Sequence, residues 1–238
     1  MHPRRSARFT TIVLLLALIA APARHAAGYT WQRMGPRGGG AIMLAVDANP
    51  DTLYAATARG IFRSDDGGTS WTAAGFGFYT TDYVLGLGAD PTTPGTVYAA
   101  ATYQGYCGIH CVEVNVFIAK STNGGASWSV LHSESAQNGY PNGGWMDRVA
   151  IAVDPTDPQT IHAGGWVRSG DGGSSWTPVT GMAATAWSVV VDPTNPQIVY
   201  AVTDFYSSGG IFKSTDGGLT FVSANANLGF TQIGRAHV

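Results

Sequence analysis

Acidic side chains are the residues of this chain whose chemistry is easiest to define, because cleavage of a glycosidic bond normally needs two carboxylates on opposite sides of the substrate. The chain has 15 Asp and Glu residues. Most recur at fixed positions of an internal repeat, and the remainder are Asp82, Glu113, Glu134, Asp147 and Asp204. No catalytic residue is assigned; Asp204 and Asp147 are the candidates, and a solvated loop carboxylate is the favoured interpretation of Asp204.

Aromatic side chains outside the repeats form a second group of candidates, since exposed rings can stack on sugars or anchor a peptide. Two segments, residues 103–115 and 134–147, interrupt the repeat, and loops on a rigid scaffold commonly carry binding residues. The predicted binding residues are Tyr103, Tyr106, Tyr140, Trp145 and Tyr206. Packing between repeats is the alternative, and it is the role expected for Trp166 and Trp187, which lie in or beside predicted strands.

The two cysteines, Cys107 and Cys111, enclose Gly-Ile-His. In an oxidising, exported context this spacing predicts a disulfide that closes a small loop. A metal site that includes His110 is the alternative, but it lacks a fourth ligand. We therefore expect no metal ion and no cofactor. His162 occupies a strand position that tyrosine takes in other repeats, which favours a packing role.

One octapeptide is written four times, beginning at Ser64, Ser121, Ser169 and Ser214. A spacing of about 50 residues is typical of propeller blades and solenoid repeats. In each copy Asp or Asn precedes Gly-Gly, which supplies the positive φ angles of a tight turn. The Ser can brace this turn, and the closing aromatic ring can pack against it. The residues assigned this structural role are Ser64, Asp66, Gly68, Trp71, Ser121, Asn123, Gly125, Trp128, Ser169, Asp171, Gly173, Trp176, Ser214, Asp216, Gly218 and Phe221.

A second repeated element precedes each octapeptide. It consists of two apolar runs joined by an Asp-containing turn, as in residues 44–47 and 53–57. The pattern predicts strand, turn and strand, and the near-continuous apolar runs predict inner strands buried on both faces. One strand leading into the octapeptide and one after it complete a four-stranded antiparallel blade. The predicted fold is all-β, a β-propeller with about four to five blades present.

Residues 1–27 have the features of a cleaved signal peptide, with Arg4, Arg5 and Arg8 before an apolar run too short to span a bilayer. A secreted, periplasmic or cell-surface protein without a membrane span is therefore expected. The formal net charge is −2, and loss of this segment removes arginines but no acids, so no nucleic-acid partner is expected. Residues 28–232 are assigned to a partial propeller, and residues 233–238, which fit no repeat, are interpreted as a spurious tail.

The octapeptide resembles the Asp-box of the bacterial neuraminidase repeat family, whose motif is S-x-D-x-G-x-x-W. The first and third copies match it fully, while Asn123 and Phe221 are substitutions in the second and fourth. The resemblance implies a propeller like those of sortilin-type, xyloglucanase-type and photosystem assembly-factor-type proteins, with six or more blades in a parent of which this chain is C-terminally truncated. It also implies that the box is a structural corner remote from ligands.

Residues 35–57 resemble the opening blade of the xyloglucan-cleaving endoglucanase family, through Gly35-Pro-Arg-Gly-Gly-Gly40 and the run from Leu53 to Thr57. That family implies a catalytic Asp directly after Thr57, where this chain has Ala58, and a second one in a later domain. Asp204 takes the corresponding place in the fourth repeat. A sialidase would need three convergent arginines, and no F/Y-R-I-P start is present.

The expected function is a non-catalytic module that binds a protein or a polysaccharide on one propeller face, or acts as a scaffold. Ala58 is the reason why enzymatic activity is not expected of this chain. The alternative is a fragment of a secreted glycoside hydrolase, xyloglucanase-like rather than sialidase-like.

Overall fold

β-Strands make up all the regular structure of the described residues. The computed structural model describes residues 41–57, 60–75, 83–108, 111–136, 148–182, 185–203 and 210–226. Their strands are β1 Ala41–Val46, β2 Leu53–Thr57, β3 Gly60–Ser64, β4 Thr72–Ala73, β5 Tyr83–Ala89, β6 Val97–Gly108, β7 Cys111–Ser121, β8 Ser129–Ala136, β9 Ile151–Val153, β10 Ile161–Ala163, β11 Val167–Ser169, β12 Thr177–Pro178, β13 Ala186–Val191, β14 Val199–Thr203, β15 Ile211–Ser214 and β16 Val222–Ser223. No helix in these ranges could cross a membrane.

The strands form four sheets of four, and each sheet takes its strands in chain order with antiparallel pairing. We number these sheets blades one to four. The first strand of each blade, β1, β5, β9 or β13, contacts the first strand of the next blade. The predicted all-β fold with four-stranded antiparallel blades is therefore confirmed. The predicted signal peptide and tail, residues 1–27 and 233–238, lie outside the described residues.

Each octapeptide, called a box below, is braced by its first serine and by its Asp or Asn. In the first box Ser64 Oγ donates to Asp66 Oδ1 (2.7 Å) and accepts from the Gly68 N–H (2.8 Å). Asp66 also accepts from the N–H and the hydroxyl of Ser70. The same bonds recur in the third and fourth boxes. In the second box Asn123 Oδ1 accepts from the Ser121 hydroxyl and the Ser127 N–H, while Asn123 Nδ2 donates to Ser127 Oγ. Both glycines of every box have positive φ, as predicted.

Replacement of Ser64 by alanine is expected to lower the free energy of unfolding by about 1–3 kcal/mol, because the buried Gly68 N–H would lose its acceptor. This corresponds to a fall in Tm of about 2–4 °C per kcal/mol for a chain of this size. Thermal unfolding followed by circular dichroism measures the change. The control is Thr122→Ala, at an exposed position of the second box. Equal Tm values for the two variants would contradict the bracing role.

Apolar cores fill the spaces between successive blades. Tyr54 of blade one packs in one core with Leu87 of blade two, and Ile118 of blade two packs in another with Trp166 of blade three. A third core lies chiefly in blade four and includes Val179 and Met182 of blade three at its edge. Two of these cores therefore join successive blades, whereas the third lies chiefly within one blade.

The inner strands differ in how deeply they are buried. Residues 84–88 of β5 are all buried, as predicted for a strand covered on both faces. The same prediction is wrong for β1 and β13, where Leu44 is 59% exposed and Val190 is 57% exposed. β1 and β13 belong to the first and last described blades, and β9, which lies between two blades, is half-buried at all three of its residues.

Candidate functional site

The antiparallel order gives each blade two unlike ends. The turn between the first two strands and the box lie together at one end, because the first box glycine donates its N–H to the preceding turn, as Gly67 does to Asp51 O (2.9 Å). We call this the box end. The connections between the second and third strands, and those between blades, lie at the other end, called the loop end.

The acidic residues of the box end are used in turns. Asp47, Asp90 and Asp154 are buried and accept backbone N–H groups of their own turns. Hydrogen bonds from Ser70 and from Ser175 lower the pKa of Asp66 and of Asp171 to about 2. Bonds from Thr220 chiefly lower the pKa of Asp216 still further. These carboxylates are committed acceptors, which makes the box end a poor site for acid–base chemistry.

Acidification should destabilise the protein between about pH 4 and pH 2 through the box carboxylates. Their folded pKa lies below the ordinary value of 3.8, so their contribution is present above about pH 4 and is lost as pH falls toward 2. A variant carrying Asn at 66, 171 and 216, as the second box does naturally at Asn123, should lose less Tm across this window. Thermal melts at each pH measure it, and identical slopes would contradict the mechanism.

The loop end is most elaborate at blade two. Its strands β6 and β7 continue past Thr102 as a paired hairpin, with Tyr103 opposite Asn115 and Tyr106 opposite Val112. The position of this insertion, between the second and third strands, is as predicted, but its backbone is a strand extension rather than a loop. Cys107 and Cys111 lie near the tip of the same hairpin; the disulfide between them stays a prediction.

A carboxylate is held at the loop end where blades two and three meet. Glu134 Oε2 accepts from Trp166 Nε1 (3.2 Å), and Glu134 Oε1 lies 3.1 Å from His132 Nε2, which donates to it in the tautomer that carries the proton on Nε2. The His132 ring lies 5.4 Å from Trp166 and 5.8 Å from Trp176. The Glu134 side chain is nevertheless 39% exposed. Two ring N–H groups thus fix a carboxylate that solvent or a ligand can still reach.

A cation and an exposed indole lie where blades three and four meet, beside the hydrogen bond from the Ala150 N–H to Ala186 O. Trp187, in β13, is 42% exposed, and the Arg148 guanidinium carbon lies 6.0 Å from its ring centroid. The prediction that Trp187 packs between blades is therefore wrong, whereas Trp166, 6% exposed, is packed as expected. An exposed indole with a guanidinium on it offers the stacking surface and donors that sugars use.

Most of the sequence-predicted site residues fall in chain segments that the structure does not describe. Asp204 and Tyr206 follow the last residue of β14, and Tyr140, Trp145 and Asp147 come between β8 and β9; all five lie outside the described residues. Tyr103 and Tyr106 are described only in their backbone. Their roles in binding and catalysis stay predictions. Glu134 is the one carboxylate at the loop end whose side chain falls within the described part.

His162 is a packing residue, as predicted. It is 3% exposed, and burial, reinforced by Arg168, lowers its pKa to about 4. Among the side chains that can be described, no three His, Cys, Asp or Glu residues lie close enough to hold a metal ion.

Two curated relatives resemble this chain over most of its length. A xyloglucanase of Paenibacillus sp is 26% identical in an alignment of 233 residues that covers 82% of this chain. A xyloglucanase of Hypocrea jecorina is 32% identical in an alignment of 193 residues that covers 73% of it. Each match covers 22% of the relative. This chain therefore spans about a fifth of the length of these enzymes. No protein-family model matches the sequence.

Solved structures resemble the chain in three dimensions. An ancestral GH74 enzyme superposes with a TM-score of 0.56 and 23% identity, over 83% of this chain and 25% of the enzyme. The GH74 enzyme of Niastella koreensis gives a TM-score of 0.54 and 22% identity, over 78% of this chain and 30% of the enzyme. The chain has the β-propeller fold.

These relatives overturn the expectation of a non-catalytic binding or scaffold module. Both curated relatives are xyloglucanases, and the structural neighbours are GH74 enzymes. Ala58 was the reason for expecting no activity, but one missing carboxylate excludes only one catalytic arrangement and does not exclude glycoside hydrolysis. The alternative of a glycoside hydrolase fragment fits the relatives better.

Proposed function

We propose that this chain is part of a glycoside hydrolase that acts on a xyloglucan-type polysaccharide. The observation that carries the proposal is the similarity to two xyloglucanases over 82% and 73% of the chain. The loop end supports it, because a fixed but reachable carboxylate and an open indole are the groups that a sugar-cleaving face needs.

Glu134 is our candidate for one of the two carboxylates of hydrolysis. In the inverting arrangement one carboxyl group protonates the leaving oxygen while the other takes a proton from the attacking water; in the retaining arrangement the second attacks the sugar carbon. The ring N–H groups of Trp166 and His132 would keep the Glu134 carboxylate in one orientation during either reaction. Asp147 and Asp204 are the candidates for its partner.

The test is hydrolysis and binding of a panel of glycans by the purified chain. Release of reducing ends from xyloglucan is expected, with retention on a xyloglucan gel and neither effect with a sialoside. Binding without hydrolysis would support the proposed xyloglucan-type substrate and would indicate that the second catalytic carboxylate lies outside this chain. Neither binding nor hydrolysis of xyloglucan would contradict the proposal.

Export of the chain is proposed with it. A polysaccharide is too large to cross the membrane intact, so an enzyme that cleaves it must act outside the cell. The basic and apolar residues of segment 1–27 are those of a signal peptide. The mass of the mature protein recovered from a secreting host tests this, and retention of the first 27 residues would contradict it.

A further inference from the structure

The second strand of each blade carries an aromatic ring opposite a basic residue of the third strand. In blade two this pair is Tyr98 and Lys120, and the Lys120 ammonium lies 5.1 Å from the Tyr98 ring centroid. Blade three differs, because its pair is His162 and Arg168. A tyrosine ring accepts a cation on its face, whereas a protonated imidazole would put a second positive charge opposite the guanidinium.

His162 is enclosed between blades three and four. It is 3% exposed, and a Cβ built at Gly218, in the box of blade four, would lie 2.6 Å from its Cε1 and 2.7 Å from its Nδ1. Its Nε2 is buried and has no hydrogen-bond partner among the residues that the structure describes. Protonation would therefore bury both a charge and an N–H donor without an acceptor.

The charged groups around His162 favour its neutral form. Burial and then Arg168 of β11 lower the pKa of His162, and the attraction of Asp154, in the turn between β9 and β10, is too weak to offset them; the result is a pKa of about 4. From β9 the residue opposite His162 is Ala152, which carries no charge. The carboxylate of the blade-four box, Asp216, is hydrogen-bonded within its own turn.

Backbone hydrogen bonds join blades three and four on both sides of this histidine. In donor-to-acceptor order they are Ala150 N–H to Ala186 O (3.0 Å), Ala186 N–H to Gly164 O (2.6 Å), Thr180 N–H to Leu219 O (3.1 Å) and Phe221 N–H to Thr180 O (2.9 Å). Separation of the two blades must break these bonds. The bond from the Val149 N–H to Leu85 O (2.9 Å) joins blades two and three instead, so it reports on a neighbouring interface.

We propose that His162 makes the contact between blades three and four acid-sensitive, so that its protonation releases blade four while blades two and three stay joined. Opening lets water solvate the imidazolium and removes it from the buried space that it shares with Arg168. It also parts Arg148 of blade three from Trp187 of blade four, which meet at the same junction. This interface lies within the described residues, and the proposal does not depend on the proposed enzymatic function.

The pH range of the response follows from the protonation of His162 in the two forms. The open form takes up a proton near the ordinary pKa of 6.5, whereas the closed form does so only near 4. The contact is therefore at full strength above about pH 6.5 and weakens as pH falls toward 4. Between pH 7 and pH 5 the open fraction is expected to rise by ~20-fold. The box carboxylates titrate at lower pH, since the pKa of Asp66 and of Asp171 is about 2.

The test is amide hydrogen exchange of the full chain at pH 7 and pH 5, followed by NMR and corrected for the intrinsic exchange rate at each pH. Protection of the Ala150, Ala186, Thr180 and Phe221 N–H groups is expected to fall by ~20-fold at pH 5. Protection of the Val149 N–H should change by less than ~3-fold, because blades two and three stay joined. Equal protection of all five groups at both pH values would overturn the proposal, and so would an equal loss at Val149.

Two variants assign the response to His162. His162→Gln and His162→Tyr both replace the imidazole by a side chain that stays neutral in this pH range, and the tyrosine is the residue of the other blades. Either variant that folds should keep the same protection at pH 7 and pH 5, and a wild-type loss of protection in it would contradict the role of His162. His132→Gln is the matched control, because His132 packs against Trp166 and Trp176 away from blade four; it should show the wild-type response. The wild-type comparison alone can refute the proposal, so the test does not require either His162 variant to fold.

Discussion

A Gly86→Ala variant is expected to lose about 3 kcal/mol or more of unfolding free energy, the upper range for overpacking a core. A Cβ built at Gly86 would lie 1.9 Å from the carbonyl oxygen of Val149 and 3.1 Å from Ile151. Val149 also donates its N–H to Leu85 O (2.9 Å), so the two backbones cannot part without breaking that bond. The added methyl group must therefore separate blade two from blade three. Thermal or urea unfolding measures the loss.

Gly170→Ala is the matched control for this prediction. A Cβ at Gly170 would meet only the end of the Arg168 side chain, at 3.4 Å, in an exposed position without positive φ. Its effect should stay within about 0.5 kcal/mol, as for ordinary surface substitutions. A Gly86 variant as stable as the Gly170 variant would show that blades two and three are not packed backbone to backbone.

Glu134→Gln should lower kcat/KM for xyloglucan by ~100-fold or more, the usual contribution of a general acid or base. The amide keeps the shape of the side chain and an oxygen acceptor for Trp166 Nε1, but it cannot gain or release a proton in the reaction. The loss should therefore fall on kcat, with little change in Tm. Reducing-end assays and a thermal melt on the same preparation separate the two effects.

Ser133→Ala is the control for Glu134→Gln, because Ser133 is an exposed neighbour on the opposite face of β8. Its kcat/KM should match that of the wild type. If Glu134→Gln retains full activity, Glu134 serves only to tie blade two to Trp166 of blade three, and the acid–base role must be assigned elsewhere.

The blades were predictable from sequence because each one is specified locally. The Ser64–Trp71 box is held by hydrogen bonds between residues two to four positions apart and by two glycines with positive φ. Residue type and spacing are therefore enough to predict its turn. Four copies then place four antiparallel hairpins in order. The packing role of His162 was predictable because tyrosine takes its position in other blades, but its burial also depends on the neighbouring blade, since Tyr200 at the same position is 41% exposed.

The site was less predictable because its contacts join distant parts of the chain. Glu134 stood out only as a carboxylate outside the repeat, and nothing in the sequence pairs it with Trp166, which lies 32 residues away on the next blade. Trp187 follows the pattern of a strand residue, but its exposure depends on which blade covers it. A strand pattern shows which residues share a face of the sheet, but it does not show which neighbouring sheet covers that face.

The most direct test of the central claim is the release of reducing ends from xyloglucan by the purified wild-type chain, compared with its Glu134→Gln variant and with a sialoside as substrate. A xyloglucan-type glycoside hydrolase should release reducing ends from xyloglucan, lose at least ~100-fold of this rate in the variant and leave the sialoside intact. A chain that neither cleaves nor binds xyloglucan would contradict the proposed function.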